Sequence, residues 1–295
     1  MMDDIEREEF VVTKGDVRLA VWRKRRDRRS EPGRPPLLLV HGSSLSALPT
    51  FDLAVPGAPD YSMMDWFAHR GMDVWTFDHE GYGRSTITDG NSDVACGVED
   101  LRAVTAFVVA QTGQACINLY GLSSGSLRAA AFAAACPDHV ARLVLDAFVW
   151  TGEGSPTLVK RREGADYFRS NARRPINREF IASIFLRDRE GTTDLAVMQA
   201  CADAQLALGD SVPTGTYLDM TCHLPLVDPF DVKAPTLIVR GEHDGIATID
   251  DVAGFFIRLP SSDKQLSVLP GLAHCTPLGT GRHRMWQAVM NFLEQ

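Results

Sequence analysis

Apolar positions along the chain fall into short runs separated by longer amphipathic stretches. Residues 8–13 and 17–23 flank Gly15-Asp16 in the pattern of a two-stranded hairpin. An arginine-rich, proline-containing segment then leads to residues 36–40 (PLLLV), a run whose apolar character suits a strand buried on both faces. Similar runs predict strands at 73–77, 116–120, 143–145, 236–239 and 265–269. Helical periodicity lies between them at 61–70, 93–111, 124–136, 249–258 and 283–293. Alternation of this kind predicts an α/β fold: a doubly wound, mostly parallel eight-stranded sheet with an antiparallel start. Between residues 145 and 236 the rhythm breaks, and a structureless loop of that length is improbable inside a compact domain. Residues 150–230 are therefore expected to form an inserted helical cap, with 1–149 and 231–295 making the core domain.

Composition narrows the function. Hydrophobic types make up 45% and charged types 23% of 295 residues, which is ordinary for a globular chain long enough to bury a core without a disulfide or metal staple. The six cysteines show no C-x-x-C spacing and no pair of histidines has ligand spacing, so neither metal nor cofactor is expected. Thirty basic against 38 acidic residues leave a net charge of −8, the wrong sign for a chain that binds nucleic acid by neutralising phosphates. The acidic opening MMDDIEREEF lacks the basic-then-apolar order of a secretory signal, and no apolar run approaches the roughly 20 residues needed to span a bilayer. The expectation is a cytoplasmic protein that engages no membrane.

In doubly wound sheets ligands bind beyond the carboxyl ends of the strands, so the residues after each buried run come first. The run at 116–120 is followed by Gly121-Leu122-Ser123-Ser124-Gly125 and then by a small-residue helix. This is G-x-S-x-G in the strand-turn-helix setting that the motif requires. A serine on so sharp a turn takes strained backbone angles, and the flanking glycines let strand and helix approach without side-chain clash. Ser123 would be held out as a nucleophile at a helix N-terminus, where free N–H groups favour an anionic intermediate. The run at 236–239 is followed by Gly241-Glu242-His243-Asp244, and that at 265–269 by Gly271-Leu272-Ala273-His274. Asp146 also follows a buried run and is a competing acid.

With His41-Gly42 after the third strand and Asp78-x-x-Gly81-x-Gly83-x-Ser85 after the fourth, these landmarks make the chain resemble the α/β-hydrolase superfamily over nearly its whole length. The resemblance implies Ser123 as nucleophile, His274 as general base and Asp244 as the residue that orients the base. It implies an oxyanion hole from the backbone N–H groups of Ser124 and Ser43. His41 and the 78–85 segment read as scaffold. Leucine at 122 and serine at 123 do not fit the branches that use an aspartate nucleophile.

The expected partner is a small-molecule substrate, anionic or aromatic in part, and Ser44, Trp150 and Tyr217 are the candidate pocket residues. Residues 160–189 carry nine basic side chains against four acidic ones, a local excess of cations that could steer a carboxylate or simply face solvent. The residues Ser43-Ser44-Leu45-Ser46 match neither the oxyanion loop of carbon–carbon bond hydrolases nor that of the His-Gly-Gly-Gly esterases. The reading is a serine hydrolase of a small carboxylic ester. A carbon–carbon, amide or lactone hydrolase is the alternative within enzymes, and a non-catalytic ligand sensor the alternative outside them.

Overall fold

The computed structural model describes residues 5–26 and 33–295. The arginine-rich segment at 27–32 and the first four residues lie outside them.

Strands β1 (Ile5–Lys14) and β2 (Val17–Arg26) pair antiparallel through a turn at Gly15, whose φ of +58° favours glycine. The chain continues through β3 (Leu37–Val40), α1 (Ala47–Phe51), α2 (Met63–Ala68), β4 (Val74–Phe77), α3 (Val94–Thr112), β5 (Ile117–Leu122), α4 (Ser124–Ala135) and β6 (Val140–Asp146). After an insertion come β9 (Thr236–Gly241), α10 (Ile249–Arg258), β10 (Lys264–Leu269) and α11 (Arg282–Leu293). The eight core strands form one sheet in the order β1-β2-β4-β3-β5-β6-β9-β10, parallel from β4 to β10.

Successive side chains of a strand point to opposite faces, so the four buried residues of β3 serve two cores. Leu38 and Val40 pack with Leu101 and Val104 of α3, Leu127 of α4 and Phe255 of α10. Leu37 and Leu39 pack with Phe51 of α1, Phe67 of α2 and Trp286 of α11. Helices on both faces explain why the central strands carry no polar face.

The observed strands outrun the apolar runs that mark them. β6 begins at Val140 rather than 143, and β1 at Ile5 rather than 8. At these ends a single buried apolar residue, Ile5 or Val140, precedes residues that are at least partly exposed, so the ladder continues where the apolar run does not. Helix α1 has no expected counterpart, since five residues containing a proline carry no readable period.

The insertion between β6 and β9 holds α5 (Pro156–Arg162), α6 (Ala165–Ser170), β7 (Arg173–Pro175), α7 (Arg178–Leu186), α8 (Leu195–Leu206), β8 (Ser211–Pro213) and α9 (Gly215–Leu218). Ile181 and Phe185 of α7, Cys201 of α8 and Tyr217 of α9 join Leu45, Tyr61, Tyr82 and Leu278 in a third core. That core seats the inserted helices on loops at the carboxyl end of the sheet. The antiparallel pair β7–β8 breaks the expected all-helical character of the segment. Strands of three residues, Arg-Arg-Pro and Ser-Val-Pro, are too short to show an alternation.

Candidate active site

Glycine at two positions makes the turn between β5 and α4 possible. A Cβ on Gly121 would lie 2.4 Å from the carbonyl oxygen of Gly125, and one on Gly125 would lie 2.3 Å from that of Val40. Real Cβ atoms do not approach so closely, so both backbones must be bare. Ser123 pays for the sharp turn with φ +58° and ψ −121°, a conformation that non-glycine residues avoid. Its N–H donates to the Asp146 carbonyl oxygen at 2.8 Å, and the Ser126 hydroxyl donates to the same oxygen at 2.7 Å. The strained residue is thus pinned from beneath by the neighbouring strand.

Ser123 Oγ lies 2.8 Å from His274 Nε2, and His274 Nδ1 lies 2.9 and 3.0 Å from the two carboxylate oxygens of Asp244. A carboxylate accepts only, so Nδ1 carries the proton and Nε2 is left to accept from the serine hydroxyl. Asp244 and His274 are buried. Burial alone would raise the Asp244 carboxyl, but the His274 ring and the N–H groups of Ile246 and Ala247 outweigh it and hold the group below the ordinary aspartate value. The carboxylate therefore stays charged at neutral pH.

Asp146, the competing acid, is fully buried but has no hydrogen bond to His274. Its Oδ2 accepts from the hydroxyls of Tyr120, at 2.6 Å, and Thr276, and its Oδ1 has no partner among the described residues. Burial, with Asp244 adding to it, pushes this carboxyl up to about 7 against the pull of the two hydroxyls.

The loop after β3 passes close to Ser123: a Cβ on Gly42 would stand 3.4 Å from its Cβ. His41 is buried beneath it, accepting the His79 N–H on Nε2 at 3.1 Å and facing the Gly42 carbonyl oxygen through Nδ1 at 2.8 Å. Burial, aided by His79 and Arg128, drives its pKa well below the ordinary histidine value, so the ring is a neutral brace. The backbone N–H groups of Ser43 and Ser124 have no partner among the described residues. Their hydroxyls are bonded to each other at 2.7 Å, and Thr216 of α9 donates to Ser43 Oγ at 2.7 Å, tying the insertion to this loop. The 78–85 turn is internal scaffold: Asp78 accepts the N–H groups of Ala47 and Arg84, and a Cβ on Gly83 would overlap its carboxylate.

A small cavity of about 40 Å³ opens on Ser123 and His274. Ser43, Ser44 and Leu122 line it from the core, and Arg161, Ile184 and Arg187 from the insertion. Tyr217 is buried behind that wall, its hydroxyl 2.6 Å from Ser44 Oγ. Trp150 does not line this cavity, contrary to expectation. The Asp251 carboxylate captures the N–H groups of Trp150, Thr151 and Gly152 and holds the indole over α10, against Phe255, where it donates to the Val227 carbonyl oxygen. Arg161 and Arg187 are two of the nine cations between residues 160 and 189, and nothing in the sequence sets them apart from the other seven. Arg173, in the same stretch, is structural: it donates to the carbonyl oxygens of Gly81 and Ser211 at 2.7 Å.

Among the described residues one group of metal-ligand types converges, Glu80, Cys96 and Asp100. The Lys14 ammonium sits within it, 2.8 Å from Glu80 and 2.5 Å from Asp100, so a cation already bridges the two carboxylates. No described helix is long and apolar enough to cross a membrane.

The sheet order, the turn at Ser123 and the acid and histidine after β9 and β10 define an enzyme of the α/β-hydrolase class. Within that class the chain belongs to the serine aminopeptidase S33 family, whose model matches residues 60–278. It is similar to 2-hydroxy-6-oxononadienedioate/2-hydroxy-6-oxononatrienedioate hydrolases from Paraburkholderia phymatum, at 28% identity over 74% of each chain, and from Burkholderia vietnamiensis, at 27% over 78% of each. Its fold is similar to that of a thermophilic esterase from Thermogutta terrifontis, with a TM-score of 0.70, 22% identity and 98% of each chain covered.

Proposed function

We propose that this hydrolase cleaves a small-molecule carboxylic ester through an acyl intermediate on Ser123. The observation that carries the reading is the unbroken hydrogen-bonded line from Asp244 through His274 to Ser123 Oγ at the floor of a cavity. As Oγ attacks the carbonyl carbon, its proton passes to His274 Nε2, and Asp244 supports the imidazolium. The oxygen that gains charge accepts from the N–H groups of Ser43 and Ser124, both otherwise unoccupied among the described residues. The imidazolium then gives its proton to the departing alkoxide. Water, deprotonated by His274, attacks the acyl carbon; the bond to Oγ then breaks, the acid leaves, and the imidazolium returns its proton to Ser123 Oγ. Residues 150–230 act as a cap that roofs the reaction, with 1–149 and 231–295 as the catalytic core.

A second reading is hydrolysis of a carbon–carbon bond, favoured by the two relatives named for dienedioate and trienedioate hydrolysis. The same serine, histidine and acid would serve it. A panel of activated esters, lactones, amides and vinylogous 1,5-diketones, read as kcat/KM, decides between the two. Esters should exceed the diketones by at least about a hundredfold, roughly 2.7 kcal/mol of differential transition-state stabilisation. The reverse order would assign the carbon–carbon reaction.

A further inference from the structure

Most of the cations between residues 160 and 189 are already engaged. Arg162 donates to the Thr221 carbonyl oxygen, Arg169 pairs with Asp166, Arg178 with Asp203, and Arg187 with Asp188 at 2.8 and 3.0 Å. Arg161 and Arg174 differ. Neither has a hydrogen bond or ion pair among the described residues, and both are half-buried. Each guanidinium lies over the ring of Tyr217, at 5.3 Å for Arg161 and 4.9 Å for Arg174, so one buried aromatic positions both. Tyr217 is itself fixed, stacked on Phe168 with its hydroxyl at Ser44.

These two side chains share a second, open-sided chamber of about 280 Å³, walled also by Ser44, Ile184, Phe180, Arg187 and Lys160. Ser44, Arg161 and Ile184 line the catalytic cavity as well, so the two spaces adjoin. Placing unpaired guanidiniums there is costly unless an anion completes them. Burial, with the neighbouring charges of Arg187 and Arg174, lowers Arg161 to about 10, which still leaves it a cation at neutral pH.

We propose that Arg161 and Arg174 form a carboxylate-binding subsite next to the nucleophile, and that the substrate is an ester carrying a free carboxylate displaced from its scissile carbonyl. The assignment rests on the acyl-serine reading for its chemistry and on the cavity for its geometry. Planar guanidinium forks match a carboxylate, and Ile184 and Phe180 suit the hydrocarbon between the carboxylate and the reacting carbonyl.

The test compares mono-p-nitrophenyl adipate with its neutral isostere p-nitrophenyl 6-methylheptanoate. The wild type should favour the anionic ester in kcat/KM by at least about tenfold, the scale of a pair of charge-assisted hydrogen bonds. In Arg161→Gln and Arg174→Gln that ratio should fall toward one, chiefly through KM for the adipate ester, and Arg161→Lys should restore part of it. Arg169→Gln, an exposed control, should keep the wild-type ratio. Equal treatment of the two esters by the wild type, or a preference that survives in the Arg161→Gln/Arg174→Gln double variant, overturns the subsite. If neither ester turns over, the acyl-serine reading fails while the subsite is still read by titrating adipate into Ser123→Ala calorimetrically. Adipate binding that Arg161→Gln abolishes supports the subsite in that case, and no binding refutes it.

Discussion

At the residue scale the two buried carboxyls at the ends of β6 and β9 show how environment separates chemically identical groups. Asp244 faces the imidazole and two backbone N–H groups and stays ionised, whereas at Asp146 burial, with the Asp244 charge added to it, outweighs the hydroxyls of Thr276 and Tyr120 and the carboxyl holds its proton up to about 7. Asp244→Asn should therefore cost at least about a thousandfold in kcat, because the wrong histidine tautomer then faces the serine. Asp146→Asn should cost no more than about threefold, since an amide imitates the protonated acid. The same variant carries a stability signature. Asp146 binds its proton more tightly in the folded chain than in the unfolded one, so wild-type stability falls as pH rises from about 4 to about 7. An amide at this position does not titrate and has no such slope, and urea titrations should show Asp146→Asn gaining on the wild type between about pH 5 and about pH 8. A constant difference across that range would contradict the burial account of Asp146. In the sequence both aspartates simply follow an apolar run; which one meets His274 depends on strand order.

At the element scale the geometry around Ser123 belongs to the junction of β5 and α4, and it is legible in the sequence because its constraints are local. Gly121 and Gly125 are each required by contacts within the turn or with the adjoining β3. Gly125→Ala should destabilise the fold by about 3 kcal/mol, the upper range for overpacking, because the new methyl meets the backbone oxygens of Val40 and His41 rather than a side chain that can move. A shift of the urea midpoint matching less than about 1 kcal/mol would mean that the strand and helix are less tightly apposed. The parallel strands were equally legible, being buried on both faces. Elements that owe their form to distant partners were not: α1 is short and is held beneath α8, and β7–β8 pairs two arginines with a valine and a proline from beyond α7 and α8. Trp150 was misplaced for the same reason, since the carboxylate that positions it lies in α10.

At the scale of the whole molecule a chain of net charge −8 concentrates unpaired cations beside its catalytic cavity. A local positive field inside an acidic protein favours capture of small anions while the rest of the surface repels them. For the adipate ester, kcat/KM should fall as ionic strength rises from about 10 mM to about 150 mM, where the screening length shortens from roughly 30 Å to roughly 8 Å, while the neutral isostere should change little. Parallel responses of the two esters would place the cations outside the approach path. The central claim is that Ser123, activated by His274 and Asp244, is the nucleophile. Its most direct test is to treat the folded protein with a fluorophosphonate and locate the adduct by peptide mass spectrometry. The account predicts one adduct per chain, on Ser123, formed at least about a hundredfold more slowly in Asp244→Asn because the base is then misaligned. A wild type that does not react, or an adduct on any other residue that persists in Ser123→Ala, would contradict it.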